Sequence, residues 1–426
     1  MTFPQGSERQ TAMTTAVHLT PEQVQNTAPG YAELRRRPEL PHAVLPGLRT
    51  PARLVTRYAD VKAALTEPRL VRDRSAVPSG TEESDPQDEL MEAASAGLPA
   101  EYVKYFSGHL ALFDGEEHAR RRAPLTRAFT ARRIAALREF VEHKADELLG
   151  AAERDGGGID LLGEFAYPLS THVICELVGV DDKDRGQVCA WIRDFAYSDG
   201  SRMGEALVGI VEYCKELIVR RRAEPTEDLI SALVEGARES EDPLGDDELV
   251  GIVFLLINTG ITPPALFLAH GALALLDHPE QAARLHAEPG LLRTAVPELL
   301  RYVTLVRIGA TLYPTEDFDF AGTALTAGEA VTVALLAADH DPEEYGENAE
   351  QLDIAREFGR GDGHLAFGHG AHYCIGAALG RLVTTVVLDR LFVGRDGLRL
   401  ATAREDLEFG HWPADGFHLV SLPVRL

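Results

Sequence analysis

The sequence predicts one large, mainly α-helical domain with small β-sheets, and three observations predict it. Apolar residues recur at helical spacing along most of the 426 residues, strand-like runs are few and short, and no clean interdomain linker interrupts the pattern. Length alone allows two or three average domains, but also one domain with a core large enough to enclose a cofactor.

Taken in order, residues 1–20 read as a loose polar tail with no apolar signal core, and 21–426 as the domain. Ala52–Thr56 reads as a short strand and Ala59–Leu65 as a helix. Ser75–Ala100 is rich in Ser, Gly, Pro and acids, which predicts a long mobile loop. Helical spacing returns over Arg132–Ala152, Ser170–Val178, Glu205–Arg222 and Asp246–Leu276. Ala330–Leu335 and Leu419–Val424 read as strands, and Ala377–Phe392 as a strong helix.

The hydrophobic fraction of 45% is that of a globular protein, and no apolar run is read as long enough to span a bilayer. A cytoplasmic protein without a membrane partner is expected. A net charge of −25 argues against nucleic acid, since phosphate binding needs clustered Lys and Arg. Arginines do crowd locally at Arg120–Arg122, Arg127, Arg132 and Arg133. They form either a solvated helix face or a docking patch for an acidic partner.

Of the four cysteines, Cys175, Cys189 and Cys214 sit in apolar helical surroundings and read as small core residues. None forms a C-x-x-C pair or a zinc spacing. Cys374 differs. It lies in Phe367-Gly368-His369-Gly370-Ala371-His372-Tyr373-Cys374-Ile375-Gly376, where three glycines permit a tight loop close to a flat ligand. The helix that follows would point free amides at the sulfur and favour a thiolate.

Two spaced pairs lie elsewhere. Glu298 and Arg301 are three apart, and His118 and Arg122 four apart, so each pair shares a helix face. By themselves such pairs are ordinary surface residues. Together with the loop they resemble the cytochrome P450 family, whose haem signature F-x-x-G-x-x-x-C-x-G is matched by Phe367, Gly370, Cys374 and Gly376. The resemblance covers nearly the whole chain after the tail, including Val55–Val61, Val173–Leu177 with Gly179, Asp339-His340-Asp341-Pro342 and Ser421–Val424.

The resemblance implies the family's prism-like helical fold and a haem b with Cys374 as axial iron ligand. Phe367, Gly368 and Gly376 would shape the loop, while His118, Arg122 and His372 would donate to the propionates. Glu298 and Arg301 would form a buried structural pair. It further implies a monomeric monooxygenase acting on a small organic substrate, supplied by a separate ferredoxin and ferredoxin reductase. The excess of Arg over Lys, with abundant Ala and Gly, suggests a high-GC genome, in which relatives often tailor secondary metabolites.

The sequence departs from the family at two places. The distal motif [AG]-G-x-[DE]-T-[TS] falls on Thr259-Gly260-Ile261-Thr262-Pro263-Pro264, so Thr262 stands for the acid and Pro263 for the threonine. No Asp or Glu occurs between Glu248 and Asp277. The prolines deprive the Thr259 and Gly260 carbonyls of helical partners, which predicts a kink or opening. Second, Leu312 stands where a further propionate-binding arginine is usual, and Arg307 is the nearby substitute. Peroxide-driven, coupling, cyclising or rearranging chemistry on the same fold is therefore an alternative, as is a haem-containing binding protein without catalysis.

Overall fold

The computed structural model describes residues 16–25, 27–77, 85–107, 110–197, 200–238, 242–359, 361, 363–412 and 414–426. Six strands form its main sheet: β1 (Val17–His18), β2 (His42–Val44), β3 (Ala52–Val55), β4 (Leu70–Val71), β5 (Ile308–Pro314) and β6 (Val331–Ala334), in the spatial order β1-β2-β3-β6-β5-β4. β3 and β6 run parallel, with Arg53 opposite Val331 and Val55 opposite Val333. β4 closes the edge antiparallel to β5, pairing Leu70 with Pro314 and Val71 with Tyr313. A separate hairpin joins β7 (Phe409–Trp412) to β8 (Gly416–Leu419).

Five helices position the site: α1 (Gly115–Ala128), α2 (Tyr167–Val178), α3 (Asp246–Asp277), α4 (Leu292–Val303) and α5 (Ala377–Leu388). α3 starts where Asp246, Asp247 and Glu248 fill its first turn, and the Glu248 carboxylate accepts the Gly245 N–H at 2.7 Å. Beyond that turn it is apolar on nearly every face, which makes it the central core helix. By length and composition α3 could cross a membrane, contrary to the expectation that no apolar run is long enough. Its residues are instead largely covered by the rest of the protein. α2 ends at Gly179, whose φ of +97° turns the chain while its N–H bonds the Cys175 carbonyl at 2.9 Å.

Several expectations are corrected. Val17–His18, assigned to the tail, pairs with β2 and is followed by a Leu19 N–H bond to the Val44 carbonyl; residues 1–15 lie outside the described residues. The Ser75–Ala100 loop contains a helix at Pro86–Ser95, capped by Asp85, which accepts the Gln87 N–H at 2.8 Å; residues 78–84 lie outside the described residues. The segment Arg132–Ala152 is two helices meeting at Leu137. Leu419–Val424 is not one strand: Leu419 ends β8, and Pro423–Arg425 pairs in another sheet. The expected opening of α3 is absent, since the helix continues through Pro263 and Pro264. Its buried neighbours Ile257, Ile261, Thr262, Ala265 and Leu266 anchor it where two backbone bonds cannot form.

Candidate functional site: the Cys374 loop and its carboxylate donors

The loop is built from tight turns. The Gly368 N–H bonds the Leu365 carbonyl at 2.7 Å, and the Cys374 N–H bonds the Phe367 carbonyl at 2.9 Å. Gly370 has φ +72°, and a Cβ there would lie 2.7 Å from the Leu65 carbonyl oxygen, so both conformation and contact require glycine. Gly368 also has positive φ, but a Cβ there would meet nothing within 4 Å. Gly376 precedes α5, and a Cβ at this position would sit 3.8 Å from the Cys374 Sγ. Phe367 is clamped under Arg381, whose guanidinium carbon stands 5.0 Å from the ring centroid. Arg381 also donates to the Tyr373 hydroxyl at 2.7 Å.

Cys374 is exposed, unlike Cys175 and Cys214, which are buried. Burial by its surroundings nevertheless pushes its thiol above the ordinary value. The Gly376 and Ala377 N–H groups and the cations Arg122 and Arg381 oppose that push without overcoming it. The amides of the following helix act on the sulfur in the direction expected, and a cation bound there would add to them in favouring the thiolate.

Beside the loop, donors converge. The His118 and His372 rings are 4.1 Å apart between centroids, and His372 Nε2 lies 3.3 Å from the Asp114 carboxylate. Arg122 donates to the Tyr373 carbonyl, next to the cysteine. His118 Nε2 is buried without a hydrogen-bond partner. Burial, then the neighbours His372, Arg122 and Arg72, hold its pKa down at about 4. Burial also lowers His372 and Arg122. The positive charge here comes from Arg122 and Arg72, and the close carboxylate among the described residues, Asp114, is already held by the Arg72 and Asp73 N–H groups. The cluster's chemistry asks for further carboxylates.

No hydrogen bond or ion pair joins the distal residues to this cluster among the described residues. On α3 the Thr259 hydroxyl donates to the Leu255 carbonyl at 2.7 Å, while the Thr262 hydroxyl is buried with no partner. Pro263 is half-buried. A Cβ on Gly260 would strike Ile174 of α2 at 2.5 Å, so this glycine lets α2 and α3 approach each other.

Glu298 and Arg301 are both fully buried and paired through two bonds of 2.8 Å. Arg301 also donates to the carbonyls of Asp339, Ala349 and Gln351, so every charge is satisfied. Sequence reasoning missed Arg356, which reaches the Glu298 carboxylate at 3.0 Å and makes the pair a triad. Nothing local in the sequence marked it.

Two other expectations fail here. Arg307 is committed to the Asp415 carbonyl at 2.9 Å and stands 3.3 Å from the His418 ring, so it does not replace the arginine missing at Leu312. Arg120 and Arg121 are bound by Glu117 and Glu248, which removes them from any open basic patch.

Among the described residues, no group of three or more His, Cys, Asp or Glu side chains is placed to hold a metal ion. A metal at Cys374 must bring its remaining ligands with it, as a haem iron does, and the adjoining donors suit haem carboxylates. The site and helical fold thus define a haem-thiolate protein. The family model described as "Cytochrome P450" matches residues 170–393. Cytochrome P450 107B1 of Saccharopolyspora erythraea is 37% identical, covering 89% of this chain and 90% of its own. Mycinamicin IV hydroxylase/epoxidase of Micromonospora griseorubida is 35% identical, covering 89% and 90%. The solved structure of PksS, from the bacillaene polyketide synthase of Bacillus subtilis 168, superposes with a TM-score of 0.82 at 31% identity, covering 96% and 99%. The chain belongs to the cytochrome P450 family. It is a haem b oxidoreductase of the monooxygenase class, and its fold is the family's.

Proposed function

We propose that this chain is a cytoplasmic, monomeric enzyme that oxidises a secondary metabolite of moderate size, with dioxygen and with electrons from a ferredoxin and its reductase. The observation that carries the reading is the accessible Cys374 beside a cluster of donors whose close carboxylate, Asp114, is already engaged by backbone amides. A relative named for mycinamicin IV and a structural neighbour from a polyketide synthase support the substrate class. A recess of about 660 Å³ between α4, α5 and the segment around Phe358 carries two cations, Arg293 and Arg381, against one acid, Glu357, which supports docking of an acidic ferredoxin near the Cys374 loop.

Haem b bound through Cys374 supplies the activation of dioxygen, which an electron-rich thiolate favours. For a substrate RH the balance is RH, O2, two electrons and two protons giving ROH and water. The residues must therefore hold the cofactor and deliver protons. His118, Arg122 and His372 would hold its carboxylates, and the Gly376 and Ala377 amides donate to the sulfur. Across from them, Thr259, Gly260, Thr262 and Pro263 would line the oxygen side. Thr259 has its hydroxyl proton engaged with Leu255, whereas Thr262 can take and pass one at Oγ1. The Thr259 and Gly260 carbonyls, left without amide partners by the prolines, can accept from water or a substrate hydroxyl.

The missing acid favours a second reading, in which the same site uses peroxide or performs coupling, cyclisation or rearrangement. Turnover of a bound substrate with ferredoxin and reductase, compared with peroxide alone, separates the two. Product only with peroxide sinks the first reading. Loss of the thiolate-type band in the reduced CO-difference spectrum sinks both.

A further inference from the structure

Leu312 is 3% exposed in an apolar cluster with Leu70, Val331 and Leu365, and Arg307 is held by Asp415. The propionate-binding cation usual at position 312 is therefore missing from β5. The neighbouring strand offers one. β4 pairs with β5 through Leu70–Pro314 and Val71–Tyr313, and Arg72 follows directly, where the pairing ends and the chain bends. Arg72 thus leaves the sheet beside the strand that carries Leu312.

Its backbone N–H bonds the Asp114 carboxylate that also meets His372, which sets Arg72 beside the donor cluster. Among the described residues its guanidinium has one hydrogen bond, to the neutral Ala111 carbonyl at 3.2 Å, and no carboxylate within 4 Å. A partly buried guanidinium with most of its donors unused, beside an unpartnered histidine, suits a dicarboxylate ligand.

We propose that Arg72 binds a haem propionate in this protein, doing from the end of β4 what the family's arginine does from β5. The proposal rests on haem b being the cofactor. The test moves the charge back. Haem-loaded wild type, Arg72→Leu, Arg72→Lys, the exchange Arg72→Leu with Leu312→Arg, and the surface control Arg127→Leu are compared by the rate of haem transfer to apomyoglobin. Arg72→Leu should lose haem about tenfold faster or more, as expected for a lost charge-assisted contact. Arg72→Lys should be intermediate, Arg127→Leu unchanged, and the exchange should recover most of the retention. Because the exchange keeps the residue pair, its recovery also rules out simple misfolding as the cause. Retention by Arg72→Leu equal to wild type overturns the proposal, as does an exchange no better than Arg72→Leu. A wild-type chain that takes up no haem refutes the cofactor itself and the proposal with it.

Discussion

Asp339 is a fully buried carboxyl, and burial raises its pKa to about 7 in spite of four groups that favour the anion. Those groups are the Thr304 hydroxyl at 2.7 Å, the Leu365 N–H at 2.7 Å, the Arg301 charge and the Tyr345 hydroxyl at 3.3 Å. In the unfolded chain the carboxyl ionises near 3.9. The folded state therefore holds the proton more tightly, and its contribution to stability is complete below about pH 4. It is lost as the pH rises through about 7. The gap corresponds to about 4 kcal/mol at most. Asp339→Asn removes the titration and keeps the shape. Its carbonyl can accept the Leu365 N–H and its amide can donate to Thr304, whose own proton goes to the Arg301 carbonyl at 2.7 Å. Urea unfolding of both proteins, followed by circular dichroism between pH 4.5 and 8, measures the difference. Wild type should lose stability relative to Asp339→Asn across this range, by at least about 2 kcal/mol. Parallel stability curves would refute the reasoning, because taking the difference cancels every other titrating group.

Glu298→Ala should destabilise by about 3–5 kcal/mol in thermal or chemical unfolding, because Arg301 and Arg356 would lose their buried partner. Gly370→Ala combines left-handed strain with a 2.7 Å contact and should cost about 2–3 kcal/mol and lower the haem content. Gly368→Ala, strained but free of contacts within 4 Å, should cost about 1 kcal/mol in the same assay. Pro263→Thr alone should leave substrate oxidation poorly coupled to electron consumption, while Thr262→Glu with Pro263→Thr should raise coupling. Full coupling in the single variant would show that the acid was overrated.

What the sequence made legible was local: the glycine pattern around Cys374, the unbroken apolar surface of α3 and the helix that follows the cysteine. What it hid depends on partners far along the chain. The Pro86–Ser95 helix is fixed by Glu89, which accepts the Arg49 N–H at 2.7 Å and the Thr50 hydroxyl at 2.6 Å, and by the Tyr313 hydroxyl on Asp85. A composition rich in Ser, Gly, Pro and acids cannot report such contacts. Arg356 joins Glu298 across 58 positions, and Arg72 acquires meaning only through the pairing of β4 with β5 and its N–H bond to Asp114. The amides that lower the Cys374 pKa could be read from the following helix, whereas the burial that opposes them could not.

The distal side poses the harder question of where protons come from. On the proposed placement of α3 opposite Cys374, its single titratable residue between Glu248 and Asp277 is His270. His270 is unsuited to a relay. Its Nε2 accepts the Leu419 N–H at 3.2 Å, its ring meets His418 edge-on at 5.8 Å, and burial pushes its pKa well below the ordinary value. It also lies two turns beyond Thr262, about 12 Å along the helix axis. Thr262 can pass a proton but cannot supply one on its own, since a hydroxyl that gives up a proton must regain it. The donor behind it must therefore be water or a polar group of the substrate, held at the carbonyls that Pro263 and Pro264 leave free. Substrates without such a group would bind and consume electrons with little product. On this reasoning, loss of the acid and threonine ties oxygen activation to substrate choice, because the substrate would supply part of the relay.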